Sequence, residues 1–355
     1  MASEGWVRRL PMTDLRSDSV TLPSAGMRAA IVEAGLGDDA RQLPDGRSGD
    51  PTVAALEQRA ADLFRTPAAL FMPSGTMANL VALRTWCPRG AAVAVGATSH
   101  LFRRETAAFD EEYLGLRAVT LDDRTGMPTE ADFRAALAEH RPALLCLENT
   151  HNAACGTAWH PEDAAPLYRG ASAAGVPVHL DGARLLNAAV AVGSRPHELA
   201  AGTDSLMICL TKGLGAPLGA ILLGDAGFIE RARPVRKLLG GQLHQAGVAA
   251  AAGIVALDGD LGQLSVDHER AARLAAGLSG LAGVRVVTAA VPTNIVQLRL
   301  DGTGHDVREV IDALASRDVL VQSPAAGVLR LVTHCDLSDA DVDRAVDVLR
   351  AVLDQ

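Results

Sequence analysis

Short apolar runs and longer helical stretches alternate between residues 70 and 223 of the chain. The apolar runs are rich in Val, Ile and Leu, which is typical of parallel strands buried on both faces by their connecting helices. The pattern predicts an α/β fold around a mainly parallel, seven-stranded sheet, with strands at residues 69–72, 92–95, 118–121, 144–148, 178–181, 206–210 and 219–223. The helices predicted between them include residues 76–86, 130–140 and 162–174.

The pattern changes after residue 247. An alanine-rich helix is predicted around residues 246–257, and the order of elements beyond it is typical of a smaller α+β domain. We therefore divide the chain into a loose amino-terminal arm (1–13), a large domain (14–247) and a small C-terminal domain (248–355). The small domain is predicted to contain helices at 268–281, 306–316 and 339–353 and strands at 284–288, 294–300 and 328–332.

Composition excludes several classes of protein. The 355 residues are 48% apolar and 21% charged, which is ordinary for a globular chain. A net charge of −9 argues against a nucleic-acid partner, because such binding needs a clustered basic surface. The apolar stretch at 246–257 is shorter than the roughly 20 residues that span a bilayer, so no membrane partner is expected. Five isolated cysteines favour reduced thiols and a cytoplasmic location.

Lys212 stands at the end of an apolar strand and is followed by Gly213, Gly215 and Pro217. An amine beside the core loses hydration, which favours the uncharged form that can act as a Schiff-base nucleophile. The segment is equally compatible with a surface lysine in a turn. It is not a Walker motif, because the lysine precedes the glycines.

Asp181 ends another predicted strand, at the sheet edge where α/β proteins gather ligand groups. A lone aspartate there is more often a helix cap. In combination with a Schiff-base lysine, however, its carboxylate can keep the pyridine nitrogen of pyridoxal phosphate protonated. Arg184 would face the same crevice and can bind a carboxylate or the cofactor's phenolate, although it is also compatible with a surface helix.

Gly75 and Thr76 follow the first sheet strand and open a helix. Their N–H groups, the threonine hydroxyl and the helix dipole suit a phosphate dianion. An ordinary capped helix start is the alternative, and this segment alone does not decide between them.

Together these segments resemble the threonine aldolase family of fold-type I pyridoxal-phosphate enzymes, and the resemblance covers nearly the whole chain from Asp14 onward. Residues 14–21 resemble the family's amino-terminal signature, with Ser19 where threonine is usual. Further matching segments lie at residues 37–39, 49–52, 147–152, 237–241 and 329–334.

The resemblance implies a role for each matching residue. Lys212 becomes the cofactor lysine, Asp181 the pyridinium partner, and Gly75 with Thr76 the phosphate cradle. His100 would stack on the cofactor ring. The substrate carboxylate would be held by Ser17, Arg184 and Arg330.

His151 would lie near the β-hydroxyl of the substrate. The base that removes the hydroxyl proton stays open among His151, His100 and a water between them. Metal ligation is a competing account of four histidines, but no His-x-x-x-His spacing or cysteine cluster supports it, so no metal is expected; the four are His100, His151, His160 and His179.

Two departures from the family pattern concern substrate and cofactor. Residues 40–48 form a longer loop without the usual tyrosine, which predicts an altered substrate preference. His244 stands where the family commonly has an arginine that reaches a neighbouring subunit's cofactor phosphate. Because histidine is only partly charged near neutrality, we expect a weaker or pH-dependent anchor.

The implied function is that of a lyase that cleaves L-threonine, L-allo-threonine or a related β-hydroxy-α-amino acid to glycine and an aldehyde by a retro-aldol reaction. Transaldol transfer, β-elimination and racemisation of a small amino acid remain alternatives, because the cofactor chemistry is shared. A non-catalytic binding protein of the same fold is a third reading. The resemblance also implies a homodimer or homotetramer with its active site at the subunit interface.

Overall fold

Strands and helices alternate along the computed structural model, which describes residues 12–290 and 292–354. In chain order the strands are β1 (Thr13–Asp14), β2 (Asp38–Gln42), β3 (Ser48–Gly49), β4 (Ala68–Met72), β5 (Ala92–Gly96), β6 (Arg117–Leu121), β7 (Leu144–Glu148), β8 (Val178–Gly182), β9 (Ser205–Cys209), β10 (Ala220–Gly224), β11 (Arg285–Val287), β12 (Ile295–Arg299), β13 (Val319–Leu320), β14 (Gln322–Ala325) and β15 (Val328–Val332). The α-helices are α1 (Ala25–Glu33), α2 (Pro51–Phe64), α3 (Gly75–Trp86), α4 (His100–Arg104), α5 (Glu130–His140), α6 (Pro161–Ala173), α7 (Leu185–Val192), α8 (Pro196–Ala200), α9 (Ala226–Leu238), α10 (Gly247–Asp258), α11 (Gly262–Leu278), α12 (Val307–Ala315) and α13 (Asp339–Leu353).

A seven-stranded sheet with the order β4-β10-β9-β8-β7-β5-β6 forms the centre of the large domain. The predicted fold class is thereby confirmed, and each of the seven predicted strands is present. β10 runs antiparallel to both of its neighbours, while β5 to β9 pair in parallel. All five residues of β7, β8 and β9 are buried, as expected for strands covered on both faces.

Helices pack on both faces of this sheet. α2, α5, α6, α7 and α10 contribute to the larger apolar core, whereas α3 and α9 pack together on the other face. The predicted boundary between the domains falls at the first residues of α10. The buried alanines of α10, including Ala250 and Ala252, nevertheless belong to the large-domain core.

The small domain has an antiparallel sheet with the order β11-β12-β15-β14, covered by α11, α12 and α13 around a second core. β1 pairs with β13, and Leu15 is fully buried in this second core. The chain then crosses to the large domain, so residues 16–21 lie between the two cores. Residues 1–11 of the predicted arm lie outside the described part of the chain.

Within residues 12–290 and 292–354, no helix combines the length and the apolar character needed to cross a bilayer.

Candidate active site

A cleft of about 900 Å³ opens where the carboxyl edge of the large sheet faces the small sheet. The large domain contributes His100, Arg184 and Lys212 to its walls, and the small domain contributes Arg330. Ser17 enters from the segment between the two cores. The cleft therefore brings together five of the residues that the sequence predicted, from five separate parts of the chain.

Lys212 follows β9 in a single 3-10 turn and is partly exposed to the cleft. Its backbone adopts φ of 60°, a left-handed conformation that is unusual for a residue with a side chain. The hydroxyl of Thr21 and the N–H of Gly215 both donate to the Lys212 carbonyl, at 2.8 Å and 3.0 Å. These bonds hold the strained turn, so the lysine is in a turn and also at the cleft.

Asp181 is 3% exposed and lies in β8 directly beside Glu148 of β7. Its Oδ1 accepts the N–H of Ala183 and its Oδ2 accepts the amide of Asn79, both at 3.0 Å. His179, two residues earlier, donates to Oδ1 of Asn79 at 3.0 Å. Burial lowers the pKa of His179 to about 4, which keeps that ring neutral. The carboxylate of Asp181 is thus held by groups that are themselves buried and oriented.

His100 begins α4 at the floor of the cleft, with 40% of its side chain exposed. Its Nδ1 lies 3.1 Å from Oε1 of Glu105, a buried carboxylate that also accepts the amide of Asn79 at 3.1 Å. The Glu105 hydrogen bond raises the pKa of His100, and burial raises the pKa of Glu105. The ring is therefore partly exposed at the cleft, while its Nδ1 is held by Glu105.

Among the described residues, one cluster of side chains has the spacing needed to bind a metal ion. Ligand atoms of His100, Glu105 and Asp181 lie within 4.8 Å of one another. The imidazole and the Glu105 carboxylate already bond to each other directly, and Oε2 of Glu105 has no hydrogen-bond partner among the described residues. The other histidines considered as metal ligands, His151, His160 and His179, do not join this cluster.

Gly75 and Thr76 form the first turn of α3, where helix geometry leaves their N–H groups without intrahelical acceptors. Ser74 caps the helix by accepting the N–H of Met77, so it does not satisfy these two donors. A Cβ on Gly75 would lie 2.8 Å from Sγ of Cys209, three residues before Lys212. The close approach requires glycine and places the helix terminus beside the lysine-bearing strand.

Arg184 is 8% exposed, and its Nε and Nη2 donate to the two oxygens of Asp18 at 2.6 Å. Asp18 is fully buried. Although burial opposes ionisation, the Arg184 charge and hydrogen bond lower the pKa of its carboxyl strongly. The neighbouring Ser17 caps the 3-10 turn at residues 18–20 through the N–H of Ser19. The ion pair fastens residues 16–21 to the large domain and occupies two of the three Arg184 nitrogens.

Arg330 projects from β15 and bonds only to uncharged groups among the described residues. Its Nη1 donates to Oδ1 of Asn152 at 3.1 Å, and its Nη2 lies 3.3 Å from both the carbonyl of Arg16 and Oε1 of Gln322. Its Nε is buried without a hydrogen-bond partner. Burial and the nearby Arg184 lower the pKa of Arg330, so a bound anion would relieve an unfavourable environment.

His151 is 2% exposed and does not line the cleft, although the next residue, Asn152, does. Its Nε2 is 2.7 Å from Oδ2 of Asp123, and its Nδ1 accepts the N–H of Ala154 at 3.1 Å. Burial opposes protonation, but the Asp123 hydrogen bond and the Glu148 charge outweigh it and raise the pKa of His151. The Ala154 bond requires a lone pair on Nδ1, so the ring is neutral and donates through Nε2 in this arrangement. Protonation would break that bond.

Glu148 links the two histidine regions. Its Oε2 accepts the N–H of His100 at 2.6 Å, and its Oε1 accepts the N–H of Asn152 at 2.8 Å. Burial raises the pKa of this carboxyl. Glu148 thus positions His100 and the loop that carries His151 and Asn152.

His244 lies outside the cleft and is 73% exposed, with its Nδ1 3.0 Å from Oδ1 of Asp38. This hydrogen bond lowers the pKa of Asp38. Residues 40–48, predicted as a loop, comprise the end of β2, the turn of the β2–β3 hairpin and the first residue of β3, and within the turn the N–H of Leu43 donates to the carbonyl of Arg47. The two departures from the family pattern therefore adjoin each other in space.

The sequence interpretation did not assign roles to Asn79, Glu105 or Asp123, and it treated Asp18 only as part of a motif. Asp123 could have been suspected because it follows a sheet strand, as Asp181 ends one. Glu105 lies five residues after His100, directly after the short helix α4, where periodicity gives no signal. Asn79 is one turn into α3 and becomes informative only when the neighbouring strand is known.

A sequence model of the beta-eliminating lyase family matches residues 14–301. Low-specificity L-threonine aldolase 1 of Arabidopsis thaliana is 37% identical over 339 residues, which cover 93% of this chain and 93% of that protein. The low specificity L-threonine aldolase of Escherichia coli O157:H7 is 38% identical over 354 residues, covering 96% of this chain and 99% of the relative.

A solved structure of Leishmania major threonine aldolase superposes with a TM-score of 0.78 at 21% identity, covering 96% of this chain and 99% of that one. At this identity the likeness concerns the fold. The resemblance drawn from the sequence motifs is thus confirmed by the family match, the relatives and the fold.

Proposed function

Because this chain belongs to the beta-eliminating lyase family, we propose that it is a threonine-aldolase-type lyase that cleaves L-threonine, L-allo-threonine or a related β-hydroxy-α-amino acid to glycine and an aldehyde. The observation that carries the proposal is the convergence of Lys212, His100, Arg184 and Arg330 on one cleft. The likeness to relatives named as L-threonine aldolases over more than nine tenths of the chain supports the same reaction.

Pyridoxal phosphate is the cofactor that these residues fit. The free N–H groups at Gly75 and Thr76 suit its phosphate, the partly exposed imidazole of His100 suits stacking on its ring, and the buried carboxylate of Asp181 suits a protonated pyridine nitrogen. Lys212 would hold it covalently. When bound, the cofactor supplies an electron sink for the pair released as the Cα–Cβ bond breaks.

The chain's own residues position and deprotonate the substrate. Arg330 offers a buried, uncompensated guanidinium to the α-carboxylate, with Ser17 and the remaining nitrogen of Arg184 beside it. A base must remove the proton of the β-hydroxyl so that the aldehyde carbonyl can form, and a proton returns to Cα to give glycine. His151, His100 and a water between them remain the candidates. Because His151 does not itself line the cleft, it would act through a water.

Lys212 can be tested sharply because the chain contains two lysines, Lys212 and Lys237. Lys237 lies exposed in the last turn of α9 and does not line the cleft. We expect borohydride reduction of the cofactor-loaded protein to modify the peptide that contains Lys212 and not the one that contains Lys237. Lys212→Ala should abolish acetaldehyde release from L-threonine, and Lys237→Arg should retain it.

The proposal is excluded if the intact, cofactor-loaded protein releases no aldehyde from any β-hydroxy-α-amino acid. Pyruvate from L-serine without aldehyde would favour β-elimination, and loss of optical activity without cleavage would favour racemisation. Retention of the cofactor without any turnover would support the binding-protein alternative.

His244 is proposed to contact the cofactor phosphate of a second subunit, within a homodimer or homotetramer. Its exposed side chain and its distance from the cleft of its own chain are compatible with this role. His244→Arg should then slow cofactor release, because an arginine is charged at every pH of interest. A dissociation constant for the cofactor that is equal in both proteins would contradict it. A cytoplasmic location is proposed on the basis of the five free cysteines.

A further inference from the structure

The walls of the cleft carry a marked excess of positive charge. Six cationic side chains line it, and no Asp or Glu does so among the described residues; the six are Arg103, Arg104, Arg184, Lys212, Arg299 and Arg330. The chain as a whole has a net charge of −9, so this concentration is local. An accumulation of one sign in a concave, partly desolvated site favours a ligand of the opposite sign.

Four of the six cations are already accounted for. Arg184 is neutralised by Asp18, and Arg299 pairs with Asp301 at 2.9 Å. In the proposed reaction Lys212 carries the cofactor. Arg330 is the remaining buried guanidinium and matches the single α-carboxylate of an amino acid.

Arg103 and Arg104 are left over. They end α4, which begins with His100, and both are exposed. Their side chains form no ion pair and no hydrogen bond with any described residue. Arg103 and Arg104 line the same cleft as Arg330, and the charge of Arg104 contributes to the lowered pKa of Arg330, so Arg104 lies within electrostatic reach of the guanidinium that would hold the substrate carboxylate.

The part of the cleft wall that the small sheet contributes is polar as well. Gln297 and Gln322 of the small sheet flank Arg330 in register and line the same cleft. Their amides can donate to an anion as the two arginines do. A substrate whose β-carbon carries only a methyl group beside its hydroxyl, as in threonine, would leave this polar region without a partner.

We propose that the preferred substrate is a β-hydroxy-α-amino acid whose side chain ends in an anionic group, a carboxylate or a phosphate, bound by Arg103 and Arg104. This proposal rests on the proposed aldolase function and specifies its substrate class. For 3-hydroxyaspartate, the Cα–Cβ bond breaks, the β-hydroxyl loses its proton and becomes the aldehyde of glyoxylate, and Cα gains a proton to give glycine. No oxidant or further reactant is needed.

Binding can be measured apart from turnover with amino acids that lack a β-hydroxyl. L-Aspartate and L-asparagine have the same shape and differ in the charge of the side chain. We expect the cofactor-loaded protein, titrated by its absorption spectrum, to bind L-aspartate at least about tenfold more tightly than L-asparagine. In the double variant Arg103→Gln/Arg104→Gln this preference should disappear, and Arg103→Lys/Arg104→Lys should recover part of it.

Arg169→Gln is the matched control, because Arg169 is exposed on α6 and lies outside the cleft. It should leave the preference for aspartate unchanged. Turnover should follow binding: kcat/KM for 3-hydroxyaspartate, divided by kcat/KM for L-threonine, should fall at least about tenfold in the double glutamine variant. A phosphate ester on the γ-carbon of threonine serves as the second anionic substrate. The anionic substrate with the larger kcat/KM relative to that for L-threonine identifies whether the site prefers a carboxylate or a phosphate.

Equal binding of aspartate and asparagine by the intact protein would overturn the proposal. A preference for aspartate that is unchanged in the double variant would overturn it as well. This holds also if the double variant has a different number of subunits, which would show that the arginines contact a second subunit. If L-threonine is cleaved while either result is obtained, the aldolase function stands and only the substrate class fails. If no β-hydroxy amino acid is cleaved, the proposed function itself fails.

Discussion

His179 donates its Nε2 hydrogen to Oδ1 of Asn79, 3.0 Å away, and this bond orients the amide that holds Asp181. Two further hydrogen bonds determine that His179 is the donor in this bond. The indole N–H of Trp86 donates to the hydroxyl of Ser205, which therefore donates to Nδ1 of His179. A neutral histidine in a single tautomer thus connects two neighbouring strands to Asp181, the carboxylate that would hold the pyridine nitrogen of the cofactor.

Ser205→Ala should remove the hydroxyl that links Trp86 to His179 in this series of hydrogen bonds. The indole N–H of Trp86 and Nδ1 of His179 would lose their partner, which costs about 1–3 kcal/mol for buried polar groups. We expect the free energy of unfolding in urea to fall by that amount, and cofactor affinity to fall with it because Asp181 is less well oriented. Ser279→Ala, at an exposed hydroxyl, should change stability by less than about 0.5 kcal/mol. Equal losses of stability in the two variants would argue against a stabilising role of the hydrogen bonds from Trp86 through Ser205 to His179.

Asp18→Ala should strongly destabilise the protein by leaving Arg184 buried without a counter-charge. Breaking a buried pair in this way costs about 3–5 kcal/mol. Residues 16–21 would also lose their attachment to the large domain, so KM for L-threonine should rise. The control is Asp14→Ala, because Asp14 pairs with the exposed Arg16 and such pairs contribute less than about 1 kcal/mol. Urea unfolding of both variants measures the difference, and comparable losses would contradict the prediction.

The sheet was predictable because strands buried on both faces leave continuous apolar runs that flanking helices interrupt. The residues of β10 do not themselves indicate its antiparallel direction, because the direction of a strand depends on which end of the sheet the preceding loop reaches. β1 and β13 were missed for a related reason. Each has two residues, and their pairing joins Thr13 to Val319 across almost the whole chain.

The site was predictable where a residue ends a strand or matches a family motif, as Lys212 and Asp181 do. It was not predictable where the partner comes from another element. The contact between Glu105 and His100 depends on the shape of α4, and that between Asp123 and His151 depends on the order of β6, β5 and β7. Likewise, the alanine-rich pattern of α10 predicts a buried helix but not which of the two cores it joins.

Asp267 should limit stability at alkaline pH. Its side chain is fully buried in α11 and one of its oxygens lacks a hydrogen-bond partner among the described residues, so burial raises its pKa to about 7. A carboxyl whose folded-state pKa is raised stabilises the fold at low pH, and that contribution is lost as pH rises through 7. The change in the free energy of unfolding caused by Asp267→Asn should therefore be more favourable at pH 8.5 than at pH 5, by about 2 kcal/mol.

Thermal or urea unfolding at the two pH values checks this prediction for Asp267. The hydrogen bond from Gln263 to Oδ1 of Asp267 is retained by an asparagine, so the change isolates the charge. A difference between wild type and variant that is the same at pH 5 and pH 8.5 would show that ionisation of Asp267 does not contribute.

Asp123→Asn tests whether His151 is the base. Asp123 raises the pKa of His151, so its replacement by a neutral amide should lower that pKa. If His151 must be unprotonated to act, the acid limb of kcat/KM for L-threonine should then move to lower pH, while the maximum falls by about 10- to 100-fold because the ring is less well oriented. Asp122→Asn is a close control, because Asp122 is exposed and pairs with Arg124. A base other than His151 is indicated if the acid limb stays in place in Asp123→Asn, and a purely structural role of Asp123 would lower the rate equally at every pH.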